Sequence, residues 1–200
     1  MRNTTRSALL AVLVLAPASI AWTNRTDGAL TLAPQSRLWF DGTSTVRAFT
    51  CTAGELEANV ATTVAGAVSA VAIGEKAIST VQFRVPAKKL DCQHGKMNEH
   101  MQKALMVTEH PQVTYTVASY TLTKSDSGMQ AVLTGTLSLG GVVKPIVVTA
   151  KAKEEAGMLR VTGKQTIAMS DFGIKAPTLM MNTLKVGNQV TVGFDLLLKN

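Results

Sequence analysis

The sequence predicts an all-β fold, an antiparallel meander of seven or eight strands with one short α-helix. From Ala29 onward apolar and polar residues alternate with the period of a half-buried strand. Clusters of turn-forming residues separate the alternating runs, as in successive hairpins. Only one segment changes to helical spacing. The 200 residues are 46% hydrophobic, 16% charged and 4% aromatic. That balance excludes a disordered polyelectrolyte, and its length fits one domain with a single core. Mean hydropathy is +0.18 and only one apolar run is long, which excludes a multi-span helical membrane protein.

Arg2 and Arg6 precede an apolar stretch, Ala8 to Leu15. Ala16-Pro17-Ala18 and Ser19-Ile20-Ala21 each place small residues at the −3 and −1 positions of a signal-peptidase site. Residues 1–21 therefore read as a secretory signal peptide and 22–200 as the domain, which places the mature chain in the periplasm or outside the cell. The apolar stretch is short of the roughly 20 residues that span a bilayer, and Pro17 interrupts it, so stable membrane insertion is not expected.

Along the domain, Leu38 and Phe40 alternate with Arg37 and Asp41, and Asp41-Gly42 reads as a turn. Ala58 to Ile73 is rich in Ala and Val, and its hairpin is poorly specified. Val81, Phe83 and Val85 alternate with Gln82 and Arg84. Asn98, Met101, Leu105 and Met106 recur at helical spacing with Pro111 beyond as a stop, giving a helix from about Lys96 to Val107 that packs its methionines onto a barrel end. Val113, Tyr115 and Val117 are followed by Ala118, Tyr120 and Leu122, a parity change that one bulge residue would produce. Lys124 to Gly128, Gly140-Gly141, Glu154 to Gly157 and Gly187-Asn188 read as turns. Leu133 and Leu137 mark one strand. Ile146, Val148, Ala150 and Ala152 mark the next, with Pro145 at its first position. Leu159, Val161, Ile167 and Met169 share a parity that Gly163 interrupts as a bend or bulge. Val190, Val192, Phe194, Leu196 and Leu198 form the last apolar row. These rows must be buried together, by closing a barrel or stacking two sheets, and periodicity alone leaves a filled core and a ligand tunnel equally open.

Cys51 and Cys92 are an even pair in a chain with a leader, which reads as one disulfide closing a loop of about forty residues. Cys92 and His94, with His100 and His110 downstream, lack the second tight pair of a zinc site, so no metal is expected. The formal charge is +7, two units of it in the leader, and the remaining cations are scattered singly or in pairs such as Lys88-Lys89 and Lys151 with Lys153. Without a basic stripe interleaved with aromatics, nucleic acid is not an expected partner. There is no Gly-x-Ser-x-Gly elbow, no His-Glu-x-x-His and no Gly-rich phosphate loop, so the chain does not read as an enzyme. An outer-membrane barrel would need aromatic girdles, and the chain ends Leu198-Lys199-Asn200.

Four blocks resemble the YceI-like family of polyisoprenoid-binding, lipocalin-like secreted proteins. They are Phe40-Asp41-Gly42-Thr43-Ser44-Thr45-Val46; Met97-Asn98-Glu99-His100-Met101 through Glu109-His110-Pro111-Gln112-Val113-Thr114-Tyr115; Gly135 through Ile146; and Met169-Ser170-Asp171-Phe172-Gly173-Ile174. The resemblance runs from Leu38 to Leu198. It implies an eight-stranded antiparallel lipocalin-like barrel whose apolar tunnel holds an isoprenoid chain, a binder and not a catalyst. Family members often carry an aspartate before the histidine equivalent to His100, where this chain has Asn98 and Glu99. Many have a histidine in the strand after the first block, where this chain has Arg47 or Cys51.

On that basis the expected ligand is a polyisoprenoid or isoprenoid-quinone-like chain, with no other cofactor. Phe83, Leu133, Val148, Val161, Val192 and Phe194 would line the tunnel, and Arg47, His100 and Lys103 are candidate head-group donors. A filled, stress-related envelope barrel without ligand is the competing expectation. A homodimer is compatible with either.

Overall fold

A strand whose alternate residues are apolar can bury only one face, so the meander is stable only if those faces meet. The computed structural model of the chain describes residues 28–179 and 184–200. The proposed leader, residues 1–21, and the start of the domain up to residue 27 lie outside the described residues.

The strand segments are β1 (Ala29–Leu32), β2 (Arg37–Ser44), β3 (Ala48–Ala53), β4 (Glu57–Thr62), β5 (Ile78–Pro86), β6 (Leu90–Asp91), β7 (Gln112–Ser125), β8 (Gly128–Leu139), β9 (Val142–Glu155), β10 (Met158–Ala168), β11 (Thr178–Leu179) and β12 (Leu184–Lys199). Two helices interrupt them, α1 (Ala67–Ala72) and α2 (Gly95–Ala104). Several segments are pieces of one kinked strand: β1 and β2 both pair with β12, β4 pairs with β1 while β3 pairs with β2, and β6 continues β5 onto β3. Eight antiparallel staves result. They follow sequence order, and β12 closes the barrel by pairing with β10 on one side and β2 and β1 on the other. Outside the wall, Arg160 ties the last three staves together. Its Nε and Nη2 donate to the Asp195 carboxylate at 2.8 and 2.6 Å, and Nη1 to Glu155. Arg160 holds the Asp195 carboxyl below its ordinary range.

The fold departs from the sequence expectation where tertiary contacts override local signals. Among the described residues there are two α-helices rather than one. Within Ala58 to Ile73 the chain forms β4 and then α1, whose Ala67, Val68 and Val71 are buried against Leu30, Val60, Leu159 and Leu198. A six-residue helix has almost no stability of its own, so this plug exists because it closes one barrel end. Asp41-Gly42 is not a turn. Both residues lie in β2, paired with Thr50 and Phe49. Gly187-Asn188 lies within β12, at a register shift against β2 between Val186 and Val190. The second helix ends at Ala104, earlier than Val107, where Met106 adopts a left-handed φ of 50°. Pro145 is inside β9, opposite Thr136, and is tolerated because that stretch is paired on one side only. Gly163 is in regular register with Phe194 and Ala150, with no bulge. A Cβ there would lie 2.5 Å from the Phe194 ring, so the glycine makes room for an inward aromatic.

The expected bulge in β7 is present. Val117 pairs with Gly135 and Ser119 with Thr134, leaving Ala118 unpaired. The bulge presses β7 against Gly135, where a Cβ would collide with the Thr116 carbonyl oxygen. Gly135→Ala is therefore expected to cost about 1–3 kcal/mol, the range for overpacking a tight site. Thr134→Ala, on the exposed outer face, should stay within about 0.5 kcal/mol. Urea unfolding of the two variants checks the contrast.

Candidate functional site

The inward rows do not fill the barrel. They surround a cavity of about 750 Å³, within the 300–1,000 Å³ usual for small-molecule sites. All six residues expected from alternation, Phe83, Leu133, Val148, Val161, Val192 and Phe194, lie on its wall. Most remain only half-buried, as expected of side chains that face unfilled space. Leu38, Phe40 and Phe49 extend the wall, and the last two rings meet edge to face with centroids 6.5 Å apart.

One end is sealed by α1 and its apolar cluster. At the other, the turn between β2 and β3, the first half of α2, Pro177 and Val186 form a rim. The polar lining side chains are Ser44, Arg47, His94, Lys96, His100, Tyr115 and Gln165, without a single carboxylate. The Tyr115 hydroxyl donates to the Leu133 carbonyl at 3.0 Å, and burial pushes its pKa up to about 12. The wall therefore offers little to water and suits apolar groups. All four ionisable cationic-type residues of the lining, Arg47, His94, Lys96 and His100, come from the β2–β3 turn and α2.

Two devices hold that rim. In the turn, the Ser44 hydroxyl accepts from the Arg47 amide at 3.1 Å and donates to the Arg47 carbonyl at 2.8 Å. The Thr45 amide donates to the Lys185 carbonyl, tying the turn to β12. Across from it, Cys51 in β3 is disulfide-bonded to Cys92, 41 residues away and just before α2. Cys51 is fully buried. The Asn98 side chain accepts from the Cys92 amide at 2.8 Å and donates to the Asp91 carboxylate at 2.7 Å. Asn98 thus brackets the disulfide to the helix. His94 caps α2, its Nδ1 accepting from the Met97 amide at 3.4 Å.

Of the proposed head-group donors, Arg47 and His100 line the cavity and Lys103 does not. The Lys103 ammonium donates to Glu99 at 3.0 Å on the outside of α2, one side of a Lys96–Glu99–Lys103 triad. About two helical turns separate Lys103 from Lys96 on nearly the same side of α2, so position along the helix axis rather than helical face distinguishes the lysine that lines the cavity from the one that does not. His94 and Lys96 complete the rim beyond the sequence expectation; helical phase points to His94, since residues 94, 97, 100, 101 and 104 share the cavity face, whereas Lys96 lies off that stripe and reaches the rim from the first turn of α2. Cys92 is consumed by the disulfide, and the described residues contain no group of three His, Cys, Asp or Glu placed to hold a metal ion. No helix among the described residues is long and apolar enough to cross a membrane.

Comparison with known proteins gives a consistent result. The YceI-like domain family model matches residues 31–198. A UPF0312 protein of Shewanella baltica is 35% identical over 103 residues, 48% of this chain and 52% of the relative. One from Pseudomonas syringae is 31% identical over 114 residues, 53% of this chain and 58% of the relative. The match spans about half the length of these curated relatives. Among solved structures, BcnA of Burkholderia cenocepacia superposes with a TM-score of 0.64 at 16% identity, covering 81% of this chain and 95% of that one. A polyisoprenoid binding domain from Saccharophagus degradans, implicated in plant cell wall breakdown, gives 0.61 at 16% identity over 86% and 98%. At such identities the likeness shows the fold.

Two measurements test how the rim is held. Lys96 and Lys103 lower the Glu99 carboxyl from 4.5 to about 2. A folded pKa below the unfolded one means that the triad's stabilisation is complete above about pH 4.5 and is lost as pH falls through about 2. An NMR titration of the Glu99 carboxyl should show the low midpoint, and Lys96→Met with Lys103→Met should return it toward 4.5. Replacing Cys51 and Cys92 together by alanine should cost about 2–4 kcal/mol in denaturant unfolding.

Proposed function

The chain belongs to the YceI-like domain family, and from that premise we propose that it is an exported carrier that holds a long apolar chain, of polyisoprenoid or isoprenoid-quinone type, inside its barrel. The observation that carries the reading is the lumen itself: about 750 Å³, apolar along its length, closed at one end and ringed by basic side chains at the other. Such a cavity favours a ligand that is apolar for most of its length and polar or anionic at one tip. A relative of the same fold is described as a polyisoprenoid binding domain, which supports the same ligand class.

Binding would be driven by removing ligand methylenes from water, at roughly 0.8 kcal/mol each. Phe83, Leu133, Val148, Val161, Val192 and Phe194 supply the contact wall. Arg47, with His94, Lys96 and His100, would meet a phosphate or carbonyl head at the rim. Of these, Lys96 already faces Glu99 at 2.9 Å, whereas Arg47 forms no ion pair among the described residues, so Arg47 is the cation best placed to neutralise a head group. Export is supported by the leader-like residues 1–21 and by the disulfide, which persists in oxidising compartments. The outer strand faces carry residues such as Thr134, Thr136, Thr149 and Lys151, the reverse of a barrel whose outside meets lipid. A binding role rather than catalysis fits a site whose functional groups are a wall and a rim.

Native mass spectrometry of the exported protein purified without detergent, followed by organic extraction, tests the reading. A stoichiometric apolar adduct is expected, and affinity for added polyprenyl phosphates should rise with chain length. Phe194→Asp, which places a charge on the lumen wall, should abolish binding in a variant that circular dichroism shows to be folded. An apo mass together with failure of added polyprenyl phosphates and quinones to bind would instead assign the protein as a barrel without ligand.

A further inference from the structure

Two seams of the barrel wall are hydrogen-bonded over only part of their length, β5–β7, whose ladder ends at Gln82↔Thr116, and β9–β10. The β9–β10 ladder runs from Met158↔Glu155 to Gly163↔Ala150 and stops. Beyond it, residues 142–149 pair only with β8, and residues 164–168 only with β12. The two free edges face each other across a slit lined by Lys144, Pro145, Thr166 and Phe172, among others, and Ile146, Gln165 and Ile167 line both slit and lumen. Phe172, 4% exposed, packs into the slit from the 3₁₀ turn that follows β10.

The outer surface beside the slit is unlike the rest of the barrel. Val143 and Val147 are 61% and 52% exposed, with exposed Pro145 between them. Lys151 and Lys164 are exposed on the same outer face, and Lys144, which shares the inward parity of Ile146, is exposed at the slit itself; none of the three forms an ion pair among the described residues. Strands β8 and β10 contain no Asp or Glu, and the acids of β9, Glu154 and Glu155, lie at its far end toward α1. Asp171 is the one acid at the slit.

From this we propose that the β9–β10 face is a docking surface for an anionic lipid bilayer, with the valines and Pro145 entering the head-group region and the three lysines meeting lipid phosphates. The charge sets the partner: a cationic rim around an apolar stripe complements an anionic bilayer, and each lysine adds binding near such a surface. Resting on the carrier reading, docking here would bring the slit, and the lumen behind it, against the source of an apolar chain.

Flotation of the leaderless protein with vesicles of phosphatidylcholine alone, or of equal parts phosphatidylcholine and phosphatidylglycerol, tests this. Binding only to the anionic vesicles is expected. Replacing Lys144, Lys151 and Lys164 by glutamine should weaken it on the order of a hundredfold, and Val143→Asp with Val147→Asp should abolish it. Phe194→Asp should still float, which separates docking from lumen binding: if no apolar chain ever binds but the protein floats, the carrier reading falls and the docking surface stands. Equal flotation of wild type and the valine variant, or loss only in Val46→Asp at the rim, would overturn the proposal. So would a dimer in sedimentation velocity without lipid that the valine variant converts to monomer, since that assigns the face to a second copy.

Discussion

Closure by β12 is the constraint on which the rest of the structure depends. Its sixteen residues pair with β10 along one edge and with β2 and then β1 along the other. Without it the sheet would have two exposed edges and no enclosed side. Because the staves alternate, apart from the bulge at Ala118, closure turns their main apolar rows inward at once, and the space those rows enclose is set by side-chain size. Val and Leu dominate the wall, with Phe83, Phe194, Phe40 and Phe49 as its larger members. Gly163 is the compensation for one of these rings, allowing Phe194 to lie over the neighbouring stave. Interior volume and strand pairing are thus one property of the sequence.

The two ends of the barrel are closed by different physics. At one, α1 contributes only buried small side chains and joins a continuous apolar cluster. At the other, α2 has no buried residue; the disulfide just before it and the Asn98 bracket hold it in place, while its Lys96–Glu99–Lys103 triad stabilises the helix itself. An end fixed by discrete polar contacts can surround an opening, whereas one fixed by area burial fills it. The basic groups therefore gather where polar anchoring already needs them.

The wall was legible in the sequence and the ends were not. Alternation alone places Val148, Val192 and Phe194 inward, because strand periodicity leaves only two faces to choose between. It also located the β7 bulge from the change of parity at Ala118. It failed where glycine has two meanings: Asp41-Gly42 and Gly187-Asn188 look like turns but lie within paired strands, because close neighbours and bulges use the same residues that turns do. The helix α1 escaped notice because Ala and Val in short runs favour neither period. Lys103 lies off the cavity lining although Lys96, two turns away on nearly the same side of α2, is part of it, because spacing gives phase around a helix and only packing against the barrel fixes which turn reaches the opening. The cysteines were the exception among long-range features, since two of them admit a single intramolecular pairing.

The up-and-down order has a consequence for how the cavity comes into being. From β2 to β10 each stave pairs with the next stave in sequence, the longest loops being those closed by Thr52↔Asp91 and Gln82↔Thr116, so loop-closure entropy stays modest at every step. The final seam joins residues such as Ser36 and Leu197, 161 positions apart. A chain delivered N-terminus first can complete most of its pairing as an open, curved sheet whose apolar face is still accessible, and it acquires an interior only when its last strand arrives. Enclosure is therefore the late, non-local event of assembly, and an oily molecule lying in the trough at that moment would be wrapped rather than threaded.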